Sequence, residues 1–274
     1  MNDELKTRYI FIDTSMYERE NFQFHEHALE HVKTLCREKT LHLLMNQIVE
    51  NEVRSHLREK AHEAANAVKQ FKKTIKILRN LPELGHYVIF NELKGIAVEE
   101  LLIQKFQDFI DEAVYETIDI NLASITEVVA KYFDKKPPFS QKKKNEFSDA
   151  IMLESLLEWA KSKQTQIYIL SADGDMKRFC EAHKEWLFYV GDLNKFLDLV
   201  QRDKEEFAYR FANEQFQSLL SEITLKLEDE IKSIEYVSSG NDFDDEIFDA
   251  DAYGLDLQIM TVLIGIQKTN NIFY

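Results

Sequence analysis

Glycine and proline are scarce in this chain, seven of the first and three of the second among 274 residues. So few punctuating residues exclude collagen-like and turn-dense architectures and favour long helices joined by few tight turns. Cysteine is scarcer still. Cys36 and Cys180 have no framework spacing, which excludes a disulfide scaffold and fits a reducing, cytoplasmic setting. No apolar run approaches the ~20 residues that span a bilayer, and no basic stretch followed by an apolar core opens the chain. The expected location is therefore the cytoplasm, with no membrane contact.

Positive charge is also in short supply, leaving a formal net charge of −15. Affinity for phosphate depends on Lys and Arg, so this balance at first argues against a nucleic-acid partner. Its distribution changes that reading. Residues 1–200 hold 28 basic and 33 acidic side chains, whereas residues 201–274 hold 6 and 16, so two thirds of the excess belongs to the tail. The first part keeps local basic clusters, at Lys69, Lys72, Lys73, Lys76 and Arg79, and at Lys135, Lys136, Lys142, Lys143 and Lys144. Runs of this kind are most often solvated helix faces or loops.

What is present is a globular composition, 45% hydrophobic and 12% aromatic. Apolar runs of strand length stand at residues 9–12, 41–45, 167–170 and 186–190, each followed by a segment with helical periodicity. Strands buried on both faces read as continuous apolar runs, so the expected class is α/β with a short parallel sheet. Between the second and third runs lie about 120 residues with almost no strand signal. Helices are expected there at 47–81, 97–114 and 121–133, with Pro82 and Gly85 marking a break. This excursion is expected to form a lid, a wall beside a cleft, or plain scaffold. Residues 133–146, with Pro137-Pro138 and five lysines, read as a loop, and 147–163 as a helix with a broad apolar face. After residue 190 helix continues to about 234, and the end, 238–274, is acidic and then apolar, with one or two strands expected.

The stretch YIFIDTS, residues 9–15, runs from four apolar residues into Asp13. A carboxylate at the end of a buried strand needs a cation, a donor cluster or water beside it. Capping the next helix is the plain explanation. Other acids fall at corresponding places, however. The third strand exits through Ser171, Asp173 and Asp175, the second through Asn46 into a helix with Glu50 and Glu52, and Asp149 lies in the first turn of the helix before the third strand. In an open parallel sheet these strand exits share one edge, where ligands bind. Converging carboxylates repel, and a divalent cation relieves that repulsion best. Oxygen-only ligands favour Mg²⁺ or Mn²⁺ over zinc and suit phosphoryl chemistry.

The succession FIDTS at 11–15, IVENEV at 48–53, EFSDAIMLESL at 146–156 and ILSADGDM at 169–176 resembles the PIN domain nucleases, in particular a larger bacterial branch with a helical insertion. The resemblance covers roughly residues 8–200, and the order and spacing of its motifs carry it. It implies a PIN-like three-layer α/β fold over residues 1–200 with a helical insertion at about 57–133; beyond it, the sequence pattern leads us to expect a helical then β-like acidic appendage over 201–274. It implies a metal-dependent endoribonuclease in which Asp13, Glu52, Asp149 and Asp173 are the catalytic acids. Asp13, Asp149 and Asp173 would hold Mg²⁺ or Mn²⁺, with Asp175 as an additional ligand or a water positioner and Ser15 and Ser171 orienting the ligand oxygens by hydrogen bonds. Glu50 and Glu52 cannot both face one ion from a helix, and Glu52 is taken because Val53 follows it as in the family pattern. Glu146 is either a group behind the ligands or loop charge.

The implied partner is RNA, with room for a protein regulator such as an antitoxin and for a homo-oligomer. The implied roles are those of a toxin or a phage-defence effector. The alternative from another class is a catalytically silent PIN-like module that docks RNA or protein. A haloacid-dehalogenase-type site needs a second aspartate where Ser15 stands, and a Toprim-like site needs a leading glutamate where Asp13 stands. The stretch DADAYG at 249–254 half resembles a calcium loop, but Met260 holds the position that requires a bidentate glutamate.

Overall fold

The computed structural model describes residues 4–81, 95–139 and 146–232. The break at Pro82 and Gly85, the lysines at 142–144 and the acidic-then-apolar end at 238–274 lie outside the described residues. The chain divides into two compact units, Met1–Glu214 and Gln215–Tyr274. Of the second unit, helical residues up to Lys232 are described, and Leu219, Ile223, Leu225 and Leu227 are exposed there.

The first unit is an α/β fold around a five-stranded parallel sheet, as the apolar runs predict. Strands β1 (Tyr9–Ile12), β2 (His42–Asn46), β3 (Glu116–Ile118), β4 (Ile167–Leu170) and β5 (Leu187–Val190) lie in the order β3-β2-β1-β4-β5. Phe11 pairs with Leu44 on one side and Ile169 on the other, so β1 sits at the centre. Ile10, Phe11 and all of β4 are buried. Burying each Ile, Leu or Phe side chain is worth roughly 1.5–3 kcal/mol. The chain builds outward from β1 through β2 to β3, then returns to the other side for β4 and β5. The order therefore reverses between β1 and β4, the place where open α/β sheets form a crevice at their carboxyl ends.

Strand β3 corrects the expectation of a stretch almost without strands. It has three residues, only Ile118 is buried, and it is an edge strand, so no apolar run announces it. Helix α1 (Thr14–Arg19) starts directly after β1, and α2 (His27–Arg37) returns the chain to β2. Helix α3 (Gln47–Thr74) buries Val49, Val53, Leu57 and Ala61 at the spacing of one helix face, and its later turns carry no buried side chain. Helix α4 (Gly95–Ala113) is scaffold. Its Phe106 and Phe109 close an aromatic cluster with Tyr17 of α1 and Phe24, the rings 5.3–6.1 Å apart. The buried Lys33 of α2 is neutralised by Glu30 at 2.7 Å and by Glu112 of α4 at 3.1 Å. The rings fix α1, and with it the end of β1, against α4, and the ion pairs fix α2 against the same helix.

Helix α5 (Ile125–Asp134) packs on α6 (Phe147–Lys163), which precedes β4. Helix α6 is buried nearly all round, from Ala150 to Ala160, rather than on the one broad face expected, because α5 covers its outer side. Helices α7 (Gly174–Ala182) and α8 (Leu193–Lys232) follow β4 and β5.

Candidate metal centre

The central edge is built by two short turns. Backbone N–H of Asp13 donates to the carbonyl of Leu170 at 2.9 Å, extending the β1–β4 ladder to the carboxylate itself. Asp13 then caps α1. Its Oδ2 accepts from the Ser15 N–H at 3.2 Å, from the Ser15 hydroxyl, and from the Ser171 hydroxyl at 2.9 Å. The Ser15 hydroxyl also accepts from Ala172 N–H at 3.0 Å, and that of Ser171 from Asp173 N–H at 2.9 Å. Two serines thus sew the exits of β1 and β4 together around one carboxylate oxygen. Oδ1 accepts none of these bonds, so Asp13 is both a cap and an acid with an oxygen to spare.

Asp173 caps α7, its Oδ1 accepting from Asp175 N–H at 2.7 Å. Asp149 lies in the first turn of α6. Glu146, Asp149 and Asp173 each offer a carboxylate oxygen within 4.8 Å of the other two. Burial first, and then the charges of Asp13, Glu52, Glu146 and Asp173, push the Asp149 carboxyl up to about 7. Burial raises Asp13 as well, against the lowering effect of its serine bonds. Five acids from four separate segments therefore share one electrostatic neighbourhood.

On α3, Glu52 reaches this edge, accepting from the Thr14 hydroxyl at 2.9 Å. Glu50 turns elsewhere, paired with Arg54 at 2.9 Å. Asp175 is buried and ion-paired with Arg178, and stands outside the three-acid cluster. Glu146, left open by sequence, joins that cluster, and its spacing of three from Asp149 was the available signal. Thr14 went unassigned, since a hydroxyl after a strand-end acid reads as part of a cap. The buried Asn46 caps α3 through Oδ1, while its Nδ2 has no acceptor among the described residues.

This donor set fits a divalent cation: hard oxygen ligands from separate segments, with one carboxyl raised by its acidic neighbours. Thiol chemistry does not fit, because Cys36 and Cys180 are buried and burial pushes both thiols up to about 12.

The family model of the PIN domain matches residues 10–176. The chain belongs to the PIN domain family. The match runs from β1 to the first turn of α7 and contains every acid named above. No curated protein and no solved structure matches the chain. PIN domains are generally nucleases, bind nucleic acid and typically use divalent metals. No described helix is long and apolar enough to cross a membrane.

The Thr14–Glu52 bond gives an early prediction. Thr14→Val keeps the buried shape and removes the donor, which is expected to weaken Mn²⁺ binding about 10- to 100-fold, as loss of a ligand-orienting bond does. Calorimetric titration checks it. Unchanged affinity in a folded variant would leave Glu52 without a role at the centre.

Proposed function

We propose that this PIN domain is a Mg²⁺- or Mn²⁺-dependent endoribonuclease that hydrolyses phosphodiester bonds by attack of water, leaving a 5′-phosphate and a 3′-hydroxyl. The carrying observation is the cluster of Glu146, Asp149 and Asp173 within 4.8 Å, beside the strand-end Asp13. Asp13, Asp149 and Asp173, joined by Glu146, would hold the ion. When bound, such an ion supplies a water of lowered pKa and positive charge for the leaving oxygen.

The chain's own residues prepare the rest. Ser15 and Ser171 fix Asp13 through Oδ2 and leave Oδ1 to face the cation. Thr14 orients Glu52 as the second acid of the family pattern. Asp175, tethered to Arg178, is a water-positioning group rather than a ligand. Basic clusters would hold the RNA backbone without reading sequence. An RNase of this kind suits a toxin or a phage-defence effector held by a protein regulator in the cytoplasm, and the acidic segment from residue 201 would stay solvated as an appendage.

The test is cleavage of single-stranded RNA in Mg²⁺ or Mn²⁺ by the parent, Asp13→Asn and Asp173→Asn. Activity in the parent, abolished by chelation and by both substitutions, is the expected result. Activity indifferent to both would remove these acids from the mechanism. Absence of cleavage under every condition would leave a silent docking module.

A further inference from the structure

The free side of β5, the edge strand beside β4, carries a groove of about 350 Å³. Lys177 of α7, Lys184 of the turn before β5, Phe188 and Tyr189 of β5, and Lys195 and Phe196 of α8 line it. Lys6 also reaches the rim, so four lysines there face the two acids Glu4 and Glu181. In a chain of net charge −15 this is a local reversal of sign. Lys6 lies 3.6 Å from Glu4 and Lys177 lies 3.9 Å from Glu181. Lys184 and Lys195 make no ion pair among the described residues.

One end of the groove, at Tyr189 and Val190, lies at the exit of β5, the strand next to β4. Ser171 N–H donates to the Val190 carbonyl at 3.2 Å, and Arg19 of α1 donates to the Gly191 carbonyl at 2.6 Å. Both acid-bearing turns therefore hold the exit of β5. Tyr189 pairs with Ile169 of β4, two residues before Ser171. The ring lies close over Gly191: a Cβ there would stand 3.1 Å from the tyrosine oxygen.

A peptide strand is a poor occupant, because β5 has four residues and lysines beside a short edge oppose added strands. Aromatic faces beside ammonium groups match single-stranded nucleic acid, whose bases stack while its phosphates take the charge. We propose that this groove takes nucleotides flanking the cleaved bond of a single-stranded RNA, a base on Tyr189 and phosphates on Lys195 and, toward the amino end of β5, on Lys184. The inference rests on the nuclease reading above and adds its substrate subsite.

The test measures anisotropy of a short fluorescein-labelled single-stranded RNA in the Asp13→Asn background, where binding is read without cleavage. Tyr189→Ala is expected to weaken binding about 5- to 100-fold, and Tyr189→Phe to leave it unchanged. Lys184→Glu and Lys195→Glu should each weaken it and lower the salt slope by roughly 0.7 for a lost phosphate contact. Lys163→Glu, the same charge change at the far end of α6, should bind as the background does. Affinity and salt slope unaltered by all the groove changes would overturn the subsite, and if acid-dependent cleavage persists the nuclease reading survives alone. Groove-dependent binding with no cleavage by the parent would support an RNA subsite and remove the nuclease. Self-association lost in Tyr189→Ala, with RNA binding unaltered, would assign the groove to a second copy and overturn the proposal.

Discussion

Asp149→Asn is expected to reduce RNA cleavage by about two to four orders of magnitude, the loss of several kcal/mol of charge stabilisation, while making the metal-free protein more stable at about pH 8. The two effects have one cause. In the folded chain the Asp149 carboxyl is pushed up to about 7 from an ordinary 3.8, so between these values the folded state holds a proton that the unfolded state has released. Stability must then fall as pH rises through that window, and above it the native state carries a charge its neighbours repel. Asparagine removes the charge and keeps the shape. Asp149 is partly exposed, so solvent screening discounts the gain to about 1–2 kcal/mol, or about 3–6 °C in Tm for a domain of this size.

At about pH 5 the folded parent is protonated at Asp149 and only roughly a third of the difference has accrued, and below about pH 4 it should vanish. Mn²⁺ competes with that proton, so it should raise the parent's Tm more at pH 8 than at pH 5 and do little for the variant. The midpoint belongs to the coupled group, because Asp13 is raised beside it. Differential scanning fluorimetry over this range, with Mn²⁺ or with chelator, reads all of these shifts. A variant less stable than the parent at pH 8 in chelator would mean that the acids do not strain one another.

The legible parts of this protein are those whose signal is local. β1 and β4 are buried on both faces and read as unbroken apolar runs. Helix α6 has the bounds its periodicity predicts, and the acids at the strand exits follow from α/β topology. The less legible parts depend on partners far along the chain. β3 is an edge segment with one buried residue, so nothing in Glu116-Thr117-Ile118 distinguishes it from a loop. Helical spacing separates Glu50 from Glu52 but does not say which of them meets α1; the Thr14 hydroxyl and the competing Arg54 decide that. Glu146 lies just before α6, outside the helical periodicity that places Asp149. The aromatic cluster that makes α4 scaffold joins Tyr17 to Phe109, a pairing no local pattern encodes.

Glu154→Ala is expected to be the most destabilising of the substitutions considered, by about 3–5 kcal/mol, lowering Tm by roughly 10 °C. Within IMLESLLEWA this glutamate is buried, unlike Glu158 one turn on, and it is 3% exposed. Its partner is Lys131 of α5, bound directly to its carboxylate. The Lys131 ammonium also lies 4.9 Å over the ring of Phe179 in α7, and burial already lowers its pKa. Truncating the glutamate leaves that ammonium with a ring face and little water, so the pair fails as a unit. Joint replacement tests this against simple loss of packing. Lys131→Met with Glu154→Leu removes both charges and fills the space, so most of the lost stability should return, with a non-additivity of at least about 1 kcal/mol. Neither residue belongs to the acid cluster, so the refilled protein should retain the cleavage activity of the parent. Chemical denaturation of the parent, both single variants and the double variant closes the cycle. Additive effects would show that the two charges are held by their surroundings independently, and that α5 is attached to α6 by its apolar contacts at Val128, Phe139 and Ala150 alone.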